Sequence, residues 1–392
     1  MSINTDKPYS DIIEYYKEEI FFIKSTIQIN YIPNISFIKN RGQRYIITGV
    51  KLIESYDDDH LDTILKLVNK CDKFIKNDIK SSPKLEYEHG KLDTGTCKLF
   101  YVYKDLIQGL SGDGLNFNYF RGQSHDYPLL PGALRYKIDS DYINDFESIY
   151  RKLALEFPDT IDYVSLNPIS KIVEREPNLS ILQHYGLKTA LLDITKNPYI
   201  AMLFMLNDNV WNVNNPTLYF FKIDDGVAGK SSLFSEVRKS HTNERIIAQK
   251  GAFLNFEKVL DKKIKEKIPY VKLVLTLDDK LYKSIRKKGK INHEHIKEKT
   301  TQLIDRDNDI FETESKELFN LLYLSKLFDI NSFIALNIDL ENKLKEYCYT
   351  KEDMFPDFEN RIRYLSNKYK NLDEEAIRNA DHIIEDNDTT DD

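Results

Sequence analysis

Apolar residues recur at helical spacing over residues 9–27. Ile12, Ile13, Tyr16, Ile20 and Ile23 fall on one face, which predicts an amphipathic helix. Residues 44–54 (RYIITGVKLIE) are rich in β-branched side chains and predict a strand. Helical spacing returns over 60–79, with Leu61, Ile64, Leu65 and Val68 on one side, until Ser81-Ser82-Pro83 breaks it. Polar residues then run to Gly95, where a domain boundary is set. Ser111-Gly112-Asp113-Gly114 marks a loop, and the alternation that follows over 115–120 predicts a strand ending at Arg121-Gly122-Gln123. Pro128 and Pro131 keep the next segment extended. Ile143, Phe146, Tyr150 and Leu153 predict a helix over 141–157, and a further helix is closed by Gly186.

The pattern changes character over 183–205 (QHYGLKTALLDITKNPYIAMLFM). Gln183, His184 and Tyr185 precede Gly186, and Ala190-Leu191-Leu192 is apolar. Asp193, Thr195 and Asn197 then arrive together before Pro198, and 199–205 predicts a buried helix. Buried polar groups cost free energy unless they are paired, so a polar cluster between two apolar elements marks a candidate ligand site. Downstream, 217–223 and 271–277 predict strands, and 244–256 predicts strand, turn at Lys250-Gly251, strand. The Lys-rich stretch 279–300 reads as a solvated helix and connector, and 315–328, 339–349 and 359–370 read as helices.

Strands and helices do not alternate regularly, so the expected class is α+β: a mixed or antiparallel central sheet flanked by helices. The expected organisation is a mainly helical N-terminal extension over 1–95, one domain over 96–372, and an acidic, disordered tail over 373–392. There is no internal repeat.

The totals refine this picture. The chain has 392 residues and a formal net charge of −7. Residues 373–392 alone hold nine acidic residues and one arginine, leaving the remainder close to neutral. The acidity therefore belongs to a tail and says nothing for or against nucleic acid. No run reaches the about 18 apolar residues of a transmembrane helix, and the N-terminus has no basic segment followed by an apolar one. Cys71, Cys97 and Cys348 form no CxxC pair, as expected in a reducing cytoplasm. The expectation is a cytoplasmic bacterial protein without membrane contact.

Several segments together resemble the FRG domain family. They are Tyr119-Phe120-Arg121-Gly122-Gln123, Pro128-Leu129-Leu130-Pro131, Leu134-Arg135, Gln183-His184-Tyr185-Gly186, Leu191-Leu192-Asp193 and Asn197-Pro198, followed by Arg245-Ile246, 248–253 and Phe355-Pro356-Asp357. The resemblance is ordered and covers about 115–370. The chain departs from the family's usual pattern at three places: Lys188 replaces a Pro, Ala190 an Arg and Ile194 a Trp. The resemblance implies a bacterial or phage-associated protein with a part in phage defence or toxicity.

Arg121 carries the candidate chemistry. An Arg at a strand end can fork onto a phosphate, and the following Gly122 lets backbone approach closely. The order of Arg121, Thr195 and Glu244 also resembles that of the arginine-serine-glutamate ADP-ribosyltransferases. That resemblance implies NAD as substrate, with Arg121 on the diphosphate, Thr195 on the nicotinamide ribose, and Glu244 (or Gln249) at the cationic ribose. His184 and Tyr185 would then meet the nucleotide. The candidate catalytic residues are Arg121, His184, Asp193, Thr195 and Glu244. The candidate ligand-binding residues are Gly122, Gln123, Gln183, Tyr185, Asn197 and Gln249. A structural role competes at most of them: Arg121 could pin two strands by pairing with Asp193 or Glu244, His184 could close a helix, and Gln249 and Gly251 could shape a hairpin.

Other chemistries lack their signatures. His293 and His295 lie in an exposed Lys-rich stretch and make no zinc pattern, no nucleophile elbow precedes a Ser or Cys, and phosphate and dinucleotide fingerprints are absent. No metal and no firm cofactor is expected. The rival class is a non-catalytic binding module for RNA, DNA or a phage protein, using the many Tyr and Phe with Arg121, Arg135, Arg151 and Arg245.

Overall fold

The structure, a computed structural model, describes residues 8–33, 45–81, 84–87, 90–93, 97–112, 114–135, 138–166, 171–206, 215–224, 231–236, 248–281, 333–352 and 362. The chain opens with α1 (Pro8–Tyr15), α2 (Glu18–Phe21), β1 (Phe22–Pro33), β2 (Tyr45–Ser55) and α3 (Leu61–Ser81). A small hairpin of β3 (Lys84–Tyr87) and β4 (Gly90–Asp93) leads to α4 (Leu99–Ser111), β5 (Tyr119–Gln123), α5 (Ser140–Glu156) and α6 (Ile172–His184). Then come β6 (Leu191–Thr195), α7 (Pro198–Met205), β7 (Thr217–Phe221), β8 (Phe234–Ser235), β9 (Gly251–Asn255) and β10 (Ile268–Leu277). A further helix, α8, covers 333–346.

Among the described residues, eight strands form one sheet in the order β2-β1-β10-β7-β5-β6-β9-β8. Among these described strands only β1 and β10 run parallel, and every other neighbouring pair is antiparallel. The sheet is therefore mixed and flanked by helices, and the fold is α+β as expected. Alternate residues of β7 point to opposite faces of the sheet. Leu218 and Phe220 join a core with Phe100, Tyr103, Leu106, Met202, Leu336 and Leu340, from α4, α7 and α8. Tyr219 and Phe221 join a second core with Ile12, Phe146, Tyr150 and Leu179, from α1, α5 and α6.

The N-terminal region differs from expectation. The helix expected over 9–27 is two short helices, α1 ending at Tyr15 and α2 at Phe21, and the next residues are β1. Helical spacing does continue to Ile23, but 22–33 is dense in β-branched and aromatic residues. It pairs with β10 from Phe22↔Ile268 to Tyr31↔Leu277, and tertiary pairing overrides a local pattern. β1 and β2 thus belong to the same sheet as the strands of 119–277. The apolar run over 99–111, given no element above, is the buried helix α4. The boundary near Gly95, the helices expected over 315–328 and most of 359–370, and the acidic tail lie outside the described residues, as do His293 and His295. Among the described residues no helix is long and apolar enough to cross a membrane, and no group of three or more His, Cys, Asp or Glu could hold a metal.

A buried ion cluster ties the second core together. Arg175 of α6 is fully buried, with Nε donating to both Glu257 oxygens at 3.0 and 3.1 Å and Nη1 to Glu147 Oε2 at 3.2 Å. Nη1 also donates to the Val164 carbonyl at 2.6 Å. Burial alone would lower the Arg175 guanidinium, but the two carboxylates raise it. Burial pushes the Glu257 carboxyl up against the pull of Arg175.

Candidate functional site

β5 and β6 are neighbours in the sheet, yet they pair at a single register, Phe120↔Thr195. Past that point each follows its other neighbour, β5 along β7 and β6 along β9. A cleft of about 400 Å³ lies at this divergence, lined by residues of β5, β6, β9 and α7 and of the segment 124–135.

Arg121 sits where the strands part. Its Nη1 donates to the backbone carbonyl of Asp193 at 2.6 Å, and its Nε donates to Gln123 Oε1 at 3.3 Å. Among the described residues no carboxylate lies within ion-pair distance of it. The guanidinium is surrounded by protein while part of the side chain opens to the cleft. Burial lowers its pKa to about 10, the nearby Asp193 charge raises it, and the like charge of Arg135 lowers it further. Arg135 lines the same cleft and is anchored by Nε to the Leu130 carbonyl at 3.3 Å. It has no ion pair among the described residues either.

Gly122 has a different duty. A Cβ there would lie 1.8 Å from the Ala201 carbonyl oxygen and 2.7 Å from the Met205 nitrogen, both on α7. Glycine thus lets α7 lie directly on β5. α7 itself starts as its sequence dictates: Asn197 is the N-cap, its Oδ1 accepting from Tyr199 N at 2.9 Å, and Pro198 takes the first helical position.

Asp193 is exposed and is the cleft's one carboxylate among the described residues. Gln183 Nε2 donates to its Oδ2 at 2.8 Å, and Thr189 in turn donates to Gln183 Oε1. Gln183 is delivered by the end of α6, where Gly186 at φ 98° closes the helix. The closing bonds run from Leu187 N to Leu182 O and from Gly186 N to Gln183 O, both at 3.0 Å. Thr195 is buried. Its hydroxyl donates to the Gln249 carbonyl at 2.7 Å and accepts from Asn197 N at 3.0 Å.

The structure therefore brings Arg121, Gly122, Gln123, Asp193, Thr195 and Gln249 to one cleft. Gln183 reaches it through Asp193. Asn197 is outside the lining, its Nδ2 donating to the Tyr349 hydroxyl at 3.0 Å. His184 and the exposed Tyr185 stand at the end of α6, also outside the lining, with their rings edge-on at 5.2 Å. Glu244 lies outside the described residues. Of the positions that depart from the usual FRG pattern, Ile194 lines the cleft and Ala190 is buried away from it. Sequence reasoning did not place Ser124, Tyr127 or Arg135 at the site. Their segment carries no periodicity; its signals were the Pro128–Pro131 spacing and Leu134-Arg135 in the resemblance, with Arg135 named only for the binding-module reading.

Residues 116–212 match the family model of the FRG domain. The chain carries an FRG domain. The matched span contains β5, β6 and α7, and with them Arg121, Gly122 and Asp193. No curated protein and no solved structure matches the chain.

Proposed function

We propose that the FRG cleft binds a nucleotide, with NAD or a close relative as the ligand, and that the protein is an anti-phage defence or toxin-type effector with ADP-ribosyltransferase-like chemistry. One observation carries the nucleotide part. Arg121 is largely desolvated, meets backbone and amide oxygens but no carboxylate among the described residues, and shares its cleft with a second guanidinium. Two like charges held together this way disfavour one another, and an anion compensates both. A diphosphate suits two guanidiniums.

The chemistry follows from the carboxylate opposite. In ADP-ribosyl transfer the bond between nicotinamide and ribose breaks, nicotinamide leaves with the electron pair, and an acceptor attacks the ribose carbon and loses its proton. The developing cationic ribose is stabilised by a nearby carboxylate. Asp193, oriented by Gln183, is the carboxylate in the cleft among the described residues. The FRG match supports the defence setting.

The test is NAD consumption by the purified chain beside Arg121→Gln, with folding checked by thermal melt. Turnover lost in a folded variant supports this reading. Equal, absent turnover together with no NAD binding overturns it. The exposed Arg135, which lines the cleft, and the exposed Lys250, which lies between Gln249 and Gly251 in the chain, also suit a single-stranded backbone. Affinity for RNA or DNA that falls steeply with salt favours that binding-module reading.

A further inference from the structure

Tyr127 lines the cleft with 43% of its surface exposed. It contributes to neither hydrophobic core. Even so, it is held firmly. Its N–H donates to the His125 carbonyl at 2.8 Å, and its own carbonyl accepts from Gln123 Nε2 at 3.0 Å and from the Tyr219 hydroxyl at 3.3 Å. The buried His125 ring backs it at 4.9 Å, inclined 30°. The exposure therefore belongs to the surface that His125 leaves uncovered.

Gln123 joins the Tyr127 backbone to Arg121. The same buried amide accepts from Arg121 Nε at 3.3 Å and donates to the Tyr127 carbonyl at 3.0 Å. The backbone that carries the ring and the guanidinium are thus tied to one and the same side chain. Fixing an apolar ring in water has an entropic cost and returns no core packing. The arrangement makes sense when a planar group covers the ring. Every nucleobase has a π-face that stacks on an aromatic side chain.

We propose that Tyr127 is the stacking platform for the nucleobase of the ligand, alongside the anion site at Arg121. This rests on the nucleotide reading above. It makes Tyr127 the residue that distinguishes a nucleotide from a bare phosphate compound.

The test is calorimetric titration of the full chain with ADP and with inorganic pyrophosphate. The wild-type chain is expected to bind ADP about tenfold more tightly than pyrophosphate, the increment of one stacked base. Tyr127→Leu should bring ADP to within about twofold of pyrophosphate and leave pyrophosphate affinity unchanged, while Tyr127→Phe and Tyr127→Trp keep the preference. Thermal melts confirm that each variant folds. The proposal is overturned if Tyr127→Leu keeps the ADP preference, or if the wild-type chain binds the two ligands alike. Binding of neither ligand would instead overturn the nucleotide reading itself, and the platform with it.

Discussion

The α-carbon of Gly122 faces the carbonyl oxygen of Ala201 so closely that an added Cβ would stand 1.8 Å from it. The obstacle is backbone of α7, which cannot rotate away. Gly122→Ala is therefore expected to cost about 3 kcal/mol or more, at the upper end for overpacking. Chemical denaturation measures this directly. A variant as stable as the parent would show that α7 can lift from β5 without penalty.

Arg121 gives a pH prediction. Its folded pKa, about 10, lies well below that of a free guanidinium, so the unfolded chain holds this proton more tightly. The buried charge costs stability at neutral pH, and that cost is relieved as pH rises above about 10. A bound anion favours the protonated form. Pyrophosphate affinity is therefore expected to stay level up to pH about 9 and to fall roughly tenfold per pH unit above about 10. Arg121→Gln should bind more weakly by about 10- to 100-fold and show no break at that pH. A profile that is flat across pH 10 in the parent chain would remove Arg121 from the anion site.

Much of this architecture was readable one segment at a time. β2, α3, α5, β7 and α7 follow from periodicity, caps and breakers, and the polar cluster of 183–205 did lead to the cleft. β1 was hidden because its partner, β10, is more than two hundred residues away. Helical spacing running from Ile12 to Ile23 masks a strand whose reason for being extended is a parallel neighbour. The site was half legible for the same reason. Arg121, Asp193 and Gln249 stand out in their own segments, whereas Tyr127 lines the cleft through a backbone held by Gln123 and a ring backed by His125. Arg175 has no local signal at all. It reads as an ordinary polar residue of a helix until α5 and the turn after β9 bring Glu147 and Glu257 to it.

That cluster gives a stability prediction. Arg175→Leu leaves two buried carboxylates without their cation and should cost about 3–5 kcal/mol. Replacing all three, as Glu147→Leu, Arg175→Met and Glu257→Leu, should recover most of the loss, because no buried charge is then left uncompensated. The direction with pH follows from the raised Glu257 carboxyl. A carboxyl raised by folding contributes stability that is lost as pH rises. The Arg175→Leu deficit should therefore shrink as pH falls from neutrality into the acidic range. Urea denaturation at two pH values checks both statements, and a deficit that grows on acidification contradicts them.

Gln183 and Asp193 separate orientation from chemistry. Asp193 is exposed, so Asp193→Asn should change stability by no more than about 0.5 kcal/mol. It also retains an oxygen for Gln183 Nε2, now 2.8 Å from Oδ2. If the carboxylate stabilises a cationic ribose, NAD turnover in Asp193→Asn should fall by about 10²- to 10³-fold while NAD affinity is nearly unchanged. Gln183→Ala leaves the charge in place but removes the donor that aims it, so a loss of about tenfold in turnover is expected, again with affinity kept. Quantitative turnover and binding on the same preparations decide the matter. If Asp193→Asn turns over NAD as the parent does, the carboxylate has no part in the chemistry. If both variants lose affinity and turnover equally, Asp193 contacts the ligand in its ground state and gives the transition state nothing further.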